Sequence, residues 1–193
     1  TTPTSLFFTC GKLKEVNLTD NWVEKTIEKY GENISLTQLF YSCSNLETAN
    51  TIQLTKFKPT YLVGTFYNCK KLTSVTFGNG IKTIGKSAFY ACYGLTSINI
   101  PDSVTSIASA AFNLCEGLTS LTIGTGVTSI GDSAFMYCAH LESITIKATT
   151  PPTLGSSALG TSNCPIYVPA ESVDAYKTAT NWSAYADRIQ AIS

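Results

Sequence analysis

The feature that most constrains this chain is a pattern of apolar residues that repeats every 23 residues from Phe66 to Ile146. Each copy carries a Phe, a Cys three residues later and further apolar residues at fixed offsets, separated mostly by Ser, Thr, Gly, Asn and Asp. A repeat of about 20 to 50 residues is typical of a solenoid or array. Because one such unit cannot bury its own apolar face, we expect stacked units to coil around a shared interior, one turn per unit.

The spacing of residues within each unit predicts two extended segments and two turns. Ile98 and Ile100 alternate with polar neighbours, as in a half-buried strand, and Pro101–Ser103 supplies turn-forming residues. In Val104–Ile107 the apolar residues are three apart, which predicts a bent extended segment rather than a regular strand. The Gly85–Phe89 segment then turns the chain back, and we interpret it as a short helical turn.

Stacking predicts that equivalent side chains form columns, with neighbouring turns about 4.8 Å apart when parallel strands join them. Polar columns remain on the outer side of the first strand of each unit, and we call them the strand face. Its candidate binding residues are Ser74, Thr76, Ser97, Asn99, Ser120, Thr122, Ser143 and Thr145.

The whole-unit pattern C-x-x-L-x-x-I-x-I-(P/G)-x-x-V-x-x-I-(G)-x-x-A-F resembles the BspA-like leucine-rich repeats of surface proteins from Bacteroidetes and some other microbes. The clean resemblance covers residues 66–146, with degenerate copies on both sides. It implies a right-handed leucine-rich-repeat solenoid, export from the cell, and a role in adhesion or recognition of host or neighbouring surfaces. It implies no set of catalytic or ligand-binding residues.

We therefore predict one domain over residues 1–193, an α/β-type repeat solenoid of roughly six to seven turns dominated by short parallel strands. Residues 1–65 form degenerate repeats, 66–150 regular repeats, and 151–193 the last repeat with a helical cap. The spacing from Cys10 to Cys43 is 33 residues instead of 23, which predicts a helical insertion near residues 20–31. The next unit is three residues longer than the repeat and reads irregularly through Asn50–Leu62.

The C-terminal part departs from the repeat. Ile166–Pro169 matches Ile98–Pro101 and is predicted as the last strand. Ala170–Thr178 is predicted to be helical, and the 3–4 spacing of apolar residues continues to Ile192. Because a solenoid end needs a cover with a polar outer face, we interpret this segment as a cap.

Composition excludes several classes of function. Thirteen basic and thirteen acidic residues balance, and charged residues make up only 13% of the chain. A neutral surface rich in Ser and Thr argues against nucleic acid and against anionic membranes. The sequence contains no apolar run of about 18 residues, so no membrane insertion is predicted. No signal peptide is recognised in the sequence given.

The seven cysteines could bind a metal, form disulfides or pack in the core. Six of them occupy one column, each three residues after an aromatic residue, and the sequence has no C-x-x-C motif and a single histidine, His140. Zinc and thioredoxin-type sites are therefore not expected, and no metal or cofactor site is predicted. The stacking distance allows disulfides, but side chains in a column point the same way, so we favour buried free thiols.

The sequence contains no recognisable set of catalytic residues. His140 has no recognisable Ser or Asp partner and is interpreted as a surface residue. Asp102, Glu116, Asp132 and Glu142 fall at unlike offsets in the repeat and form no acid–base pair. No phosphate-binding glycine motif is present, and we predict that the chain is not an enzyme.

Surface recognition remains as the predicted role. We predict that the protein is a monomer located at the cell surface or outside the cell, and that its partner is a protein or a glycan. Besides the strand face, Tyr67, Tyr90 and Met136 follow the Phe column at equivalent offsets and form a candidate aromatic ridge. The alternative for the ridge is that its side chains only cover neighbouring turns. The alternatives for the whole chain are a structural spacer of a larger exported protein and a weak glycan-binding module.

Overall fold

A computed structural model describes residues 7–17, 24–25, 28–29, 37–50, 62–78, 80–160 and 162–192 of the chain. Within these residues the chain forms stacked turns, each carrying short parallel strands, and a helical segment near the C-terminus. The predicted fold class, a strand-dominated repeat solenoid, is confirmed.

The first strand of each turn belongs to one of two parallel sheets. A three-stranded sheet contains β1 (Glu15–Asn17), β2 (Thr48–Asn50) and β3 (Ser74–Thr76), in that order. A five-stranded sheet has the order β12-β11-β9-β7-β5, and its strands are β5 (Ser97–Ile100), β7 (Ser120–Ile123), β9 (Ser143–Ile146), β11 (Ile166–Val168) and β12 (Ile189–Ala191).

The pairing register follows the 23-residue period. Ser97 pairs with Ser120, and Ser120 pairs with Ser143, so equivalent residues of successive turns lie side by side. Because the side-chain period of a strand is two, this register sends the apolar residues of every strand to the interior and the polar residues outwards.

The second extended piece of each turn differs from the prediction of a bent segment. It forms a further parallel sheet of two-residue strands in the order β10-β8-β6-β4. These strands are β4 (Thr83–Ile84), β6 (Ser106–Ile107), β8 (Ser129–Ile130) and β10 (Thr153–Leu154). Two residues suffice for pairing, so the three-residue spacing of the apolar positions does not prevent a strand.

The return turns are not helical, which corrects the interpretation of Gly85–Phe89. Ser87 has a φ of 54°, and the equivalent Ala110 and Ser133 have φ values of 56° and 55°. A residue in the left-handed region interrupts a right-handed helix. Each of these turns instead closes with a hydrogen bond from residue i+3 to residue i, such as Ala88 N–H donating to the Gly85 carbonyl at 3.2 Å.

The Phe column forms the centre of the core. Phe40, Phe66, Phe89, Phe112 and Phe135 are fully buried. Their rings stack in order with centroid separations of 5.3, 5.1, 4.9 and 5.1 Å. Ring stacking at these distances adds to the stabilisation that comes from burial alone.

The Cys column lies beside the Phe column and is also hydrogen-bonded. Each of the five thiols from Cys43 to Cys138 donates to the carbonyl of the Phe in the preceding turn, for example Cys92 Sγ to Phe66 O at 3.1 Å and Cys115 Sγ to Phe89 O at 3.2 Å. All seven cysteines are free. The predicted burial of the column is wrong for Cys10, which is exposed because it lies in the first described turn, where no earlier described turn covers it.

The predicted helical insertion falls largely outside the described residues. Glu24, Lys25, Glu28 and Lys29 are helical and exposed, which agrees with a helix in this segment. The rest of residues 20–31, and the irregular stretch through residues 51–61, lie outside the described part of the chain.

The C-terminal segment forms the predicted helical cap and then one more strand. A 3-10 helix (Ala170–Ser172), an α-helix (Val173–Thr178) and a second 3-10 helix (Ser183–Arg188) are followed by β12, which pairs with β11. The prediction that Ile166–Pro169 is the last strand is therefore wrong, and Ile189 is buried in a strand rather than on a helix.

Candidate recognition surfaces

The strand face is assembled as predicted on the outer side of the first strands, but it spans two sheets. Ser74 and Thr76 lie on β3 in the three-stranded sheet. The other six predicted residues lie on β5, β7 and β9 of the five-stranded sheet, where register pairs Asn99 with Thr122 and Thr122 with Thr145. The eight residues thus form two parallel rows with an interruption between the turns of β3 and β5.

Exposure of the strand face decreases towards the C-terminus. Ser74, Thr76, Ser97, Asn99 and Ser120 are exposed. Thr122, Ser143 and Thr145 are half-buried. All eight side chains are uncharged, so the face offers hydroxyl and amide hydrogen-bonding groups without a strong field.

Sequence reasoning missed the residues that extend these rows. Tyr167 on β11 pairs in register with Thr145, and Gln190 on β12 pairs with Tyr167. The signal for Tyr167 was present, because Ile166-Tyr-Val matches Ile98-Asn-Ile. The signal for Gln190 was absent, since β12 has no counterpart in the repeat. At the other end Glu15 and Thr48 pair in register with the Ser74 row.

Charged residues lie only at the margin of the regular part of this face. Asp102 follows β5, and one of its carboxylate oxygens accepts a hydrogen bond from the Thr125 backbone N–H at 2.7 Å. That hydrogen bond lowers the pKa of Asp102, and the positive charge of Lys147 contributes in the same direction. The hydrogen bond from Thr125 therefore stabilises the ionised form of Asp102.

The aromatic ridge contains two of its three predicted members. The rings of Tyr67 and Tyr90 stack at 4.7 Å with planes 7° apart, and Tyr41 stacks on Tyr67 at 4.5 Å. Phe8 stacks on Tyr41 at 4.9 Å. We call these four residues the aromatic ladder. Sequence reasoning missed Phe8 and Tyr41, although each follows a Phe of the column at the same offset as Tyr67.

Met136 does not belong to this ladder. It lies two turns beyond Tyr90, and the intervening position is Asn113, which is buried and donates its side-chain amide to the Ser133 carbonyl at 3.4 Å. Within the ladder, burial raises the pKa of the Tyr67 hydroxyl, and the charges of Tyr41 and Tyr90 raise it further. The ring faces cover one another, so the ladder presents ring edges and hydroxyl groups outwards.

Two adjoining clefts lie at the interruption of the strand face. The first has a volume of about 310 Å³ and lies between β3 and β5. The second has a volume of about 430 Å³ and runs along the end of β5 towards Lys147. Asn99 and Pro101 line both clefts.

The residues considered for catalysis remain apart from these surfaces. His140 is exposed, as predicted, and its Nδ1 lies 2.6 Å from the Glu116 carbonyl. Over the described ranges, no group of three or more His, Cys, Asp or Glu side chains is placed to hold a metal ion. In the same part of the chain no helix is long and apolar enough to cross a membrane.

Comparison with known families identifies the repeat. A model of the BspA type leucine-rich repeat region matches residues 37–166 in six copies. The chain belongs to the BspA-type leucine-rich-repeat family. This match extends the clean part of the repeat at both ends, into one degenerate turn before Phe66 and up to β11. Proteins of this repeat family are typically non-catalytic.

Three solved structures are similar to this BspA-type chain. The pneumococcal vaccine antigen PcpA is 20% identical with a TM-score of 0.58, over 81% of this chain and 38% of that one. A leucine-rich repeat protein from Bacteroides ovatus is 24% identical, with a TM-score of 0.49 over 70% of this chain and 42% of that one. A leucine rich cell surface protein from Faecalibacterium prausnitzii is 21% identical, with a TM-score of 0.44 over 84% and 55%.

The BspA-type chain spans only 38% to 55% of the length of these three proteins. At these identities the likeness to PcpA shows the fold alone. A search of curated proteins finds no match.

Proposed function

We propose that this BspA-type domain is a non-enzymatic recognition module that acts at the cell surface or outside the cell and binds a partner protein through the strand face. The observation that carries the proposal is the pair of uncharged polar rows formed by in-register pairing of β5, β7 and β9. Solenoids present extended surfaces of this kind to their partners.

The strand face is suited to many weak contacts on a stiff support. Its hydroxyl and amide groups repeat at the spacing of parallel strands, about 4.8 Å, and the fully buried Ile100, Ile123 and Ile146 anchor the same strands from inside. Because the support is already ordered, binding would cost little conformational entropy in this chain.

The scattered positions of the ionisable groups support a non-enzymatic role. Catalysis requires a nucleophile or base held within hydrogen-bond reach of a partner group. His140 contacts a backbone carbonyl, and Asp102 is engaged by a backbone N–H of the next turn. The buried thiols are held in their protonated form because burial raises their pKa, as for Cys92 and Cys115.

Surface localisation is supported by the family, whose bacterial members are cell surface proteins. Fractionation of cells that produce the full-length protein, with protease accessibility of intact cells, would measure the location directly. Protection of the domain from external protease would contradict the proposal.

Two alternatives remain open and make different predictions. A structural spacer binds no partner saturably. A glycan-binding module would use aromatic ring faces, but in the aromatic ladder each inner ring face is covered by a neighbouring ring at 4.5 to 4.9 Å. A sugar that approaches the inner rings would therefore meet ring edges, which offer a weaker stacking surface than ring faces.

Binding to an array of extracellular-matrix proteins and glycans tests these alternatives. The double variant Thr122→Arg and Thr145→Arg places two long charged side chains on the strand face, and we expect it to weaken binding of a captured protein by about tenfold or more. The matched control is Thr105→Arg with Thr128→Arg, two exposed threonines away from the strand face. Equal binding by both double variants would contradict recognition through the strand face.

A further inference from the structure

The balanced net charge of the chain hides a segregation of charge along it. Residues 48–101 contain six lysines and no acidic residue, whereas residues 102–146 contain four acidic residues and neither lysine nor arginine. Each block covers about two turns of the 23-residue repeat. Because charges of one sign add up over a surface, a basic region of the solenoid lies next to an acidic one.

Part of each block lies on one side of the solenoid. Each regular turn has two sides that carry strands and a third side, where the chain leads back to the next first strand. We call this third side the return side, and its residues are 62–70, 85–93, 108–116 and 131–139. The Phe column points inwards from it and the aromatic ladder runs along its outer surface.

One column of the return side changes from basic to acidic along the solenoid. Lys70, Tyr93 and Glu116 each follow a cysteine of the Cys column directly, and all three are exposed. Backbone hydrogen bonds hold these turns in register, since Gly94 N–H donates to the Lys70 carbonyl at 3.0 Å and Gly117 N–H donates to the Tyr93 carbonyl at 3.1 Å. The lysine and the glutamate therefore lie two turns apart, about 10 Å.

A second column of the return side changes sign in the same direction. Lys86 and Asp132 occupy the same offset before a Phe of the column, two turns apart, and both are exposed. The Lys86 carbonyl accepts a hydrogen bond from Gly64 N–H at 3.0 Å, and the Asp132 carbonyl accepts one from Ala110 N–H at 2.9 Å. The return side is thus basic near the aromatic ladder and acidic beyond it.

Hydrogen-bond donors converge where the basic part meets the ladder. A cleft of about 270 Å³ is lined in part by Lys86, Gln38, Tyr41 and Tyr67. An ammonium group, an amide and two phenol hydroxyls can all donate to an oxygen anion. Burial raises the pKa of the Tyr67 hydroxyl, and Tyr93 is among the neighbours whose charge raises it further. The cleft therefore suits a carboxylate.

Exposed aromatic surface lies beside these donors. Of the four large apolar side chains that are exposed among the described residues, Tyr93 and Tyr137 lie on the return side and Phe8 begins the aromatic ladder. Aromatic residues are enriched at protein interfaces, whereas lysine is depleted there. A partner that covers the aromatic surface must therefore supply acidic groups for the lysines.

We propose that the return side binds an extended acidic segment of a partner protein, whose carboxylates pair with Lys70 and Lys86 and whose apolar side chain packs on Tyr93. This surface lies on a different side of each turn from the strand face, so the inference goes beyond the proposed function. Complementary charge of this kind selects the partner and aligns it on the surface.

The acidic part of the return side limits the length of the acidic segment. Glu116 lies about 10 Å from Lys70 along the solenoid, which an extended chain spans in about three residues. Like charges placed opposite one another are unfavourable. The partner segment should therefore carry its acidic residues within a stretch of about three or four, followed by neutral or basic residues.

A protein segment fits this surface better than an acidic sugar does. The inner rings of the ladder turn their edges and hydroxyl groups outwards, so they present little ring face to a sugar. A protein segment brings both carboxylates and an apolar side chain that can pack on an exposed ring. An anionic glycan and a second copy of this chain, through its own acidic block, are the competing outcomes of the test.

The probe is a library of amidated octapeptides that carry a neutral fluorophore and vary acidic, amide and apolar residues, titrated against the whole chain by fluorescence polarisation. We expect selection of acidic residues next to an apolar one. Changing the carboxylates to amides should weaken binding by about tenfold or more, and raising the salt from about 0.05 M to about 0.5 M should weaken it by about fivefold. Failure of the library to yield a binding peptide would overturn the inference.

Charge-reversal variants locate the bound peptide. Lys70→Glu and Lys86→Glu alter exposed side chains, and each is expected to weaken binding by about tenfold or more. Glu116→Lys lengthens the basic column and should strengthen binding of a peptide with a longer acidic stretch by about threefold. Lys147→Glu, which makes the same charge change at an exposed position after β9, is the matched control and should change the affinity less than about twofold. Circular dichroism and thermal unfolding check the fold of each variant.

The competing occupants give different results. Selected peptides that bind Lys86→Glu as tightly as the wild type would overturn the inference. Polygalacturonate that binds the wild type but not Lys86→Glu, where no acidic peptide binds, would assign the surface to a glycan instead. A salt-sensitive dimer of the chain alone in sedimentation equilibrium, lost in Lys86→Glu and present where no acidic peptide binds, would assign it to a second copy.

The inference and the proposed function fail separately. If a captured matrix protein is lost with Thr122→Arg and Thr145→Arg but no acidic peptide binds, the return-side inference fails and the strand face stands. If acidic peptides bind and respond to Lys70→Glu and Lys86→Glu, while the array yields no partner for the strand face, the inference stands and the proposed function fails.

Discussion

At the scale of single residues, the repeated cysteine is explained by a hydrogen bond as well as by its size. Each buried thiol of the column donates to the carbonyl of a Phe one turn earlier, with Sγ–O distances of 2.9 to 3.3 Å. A Val or Ala would fill similar space without a donor. The Cys therefore joins the core to the backbone of the preceding turn.

The buried thiols should make the protein less stable at alkaline pH. Burial raises the pKa of Cys138 from its ordinary value of 9.0 to about 12. Its contribution is fully present below pH 9, where both states hold the proton, and is lost as the pH rises from 9 towards 12, where the unfolded chain ionises first. The free energy of unfolding should therefore fall between pH 8 and pH 10.

Guanidinium unfolding at these two pH values measures this effect. In Cys138→Ala the fall should be smaller by about 1 kcal/mol, whereas Thr122→Ala, which removes no thiol, should keep the wild-type fall. An equal fall in Cys138→Ala and the wild type would contradict a protonated, buried column.

At the scale of elements, the C-terminal cap is attached through two aromatic side chains. Tyr176 on the α-helix donates its hydroxyl to the Ala148 carbonyl at 2.8 Å, and Trp182 donates Nε1–H to the Pro152 carbonyl at 2.7 Å. Both are fully buried, and their rings meet edge-on at 4.9 Å. The two bonds tie the cap to the turn that precedes β10.

Replacement of Trp182 tests this attachment. Trp182→Phe removes the indole N–H and leaves the Pro152 carbonyl without that donor, so we expect the free energy of unfolding to fall by about 1–3 kcal/mol. Tyr185→Phe, which keeps the ring beneath Arg188, is the matched control in the same cap. Chemical denaturation measures both variants, and equal stability of the two would argue against the Trp182 hydrogen bond.

At the scale of the whole molecule, the stacked Phe rings connect successive turns from the first described turn to Phe135. Each inner ring contacts one ring in the turn before and one in the turn after, so each turn is stabilised by its nearest neighbours. The Phe column ends at Phe135. In the next turn Leu159 takes the Phe position and is fully buried. The cap follows directly.

Truncation in the middle of the column should be the most damaging substitution of this type. Phe112 lies between Phe89 and Phe135 at 4.9 and 5.1 Å, and Phe112→Ala should lower the free energy of unfolding by about 3–5 kcal/mol through loss of burial and a cavity. Phe8→Ala, at the 46% exposed end of the aromatic ladder, should cost much less. Similar losses in the two variants would contradict a continuous central column.

The sequence by itself determined the period, the columns and the side of each strand that faces outwards. These follow from spacing alone, because parallel in-register stacking places residues 23 apart side by side, as Ser97, Ser120 and Ser143 show. The same reasoning predicted all eight residues of the strand face and the helical cap. The match of Ile166–Val168 to Ile98–Ile100 also places Tyr167 at the position of Asn99.

Only the tertiary structure decided where the repetition fails. β3 and β5 fall in separate sheets although they are 23 residues apart, and packing at one junction is not visible in a spacing pattern. β12 forms because the chain after the cap returns beside β11, which no local period specifies. The exposure of Cys10 reflects its place in the first described turn, since burial in a column depends on what lies above and below rather than on the residue.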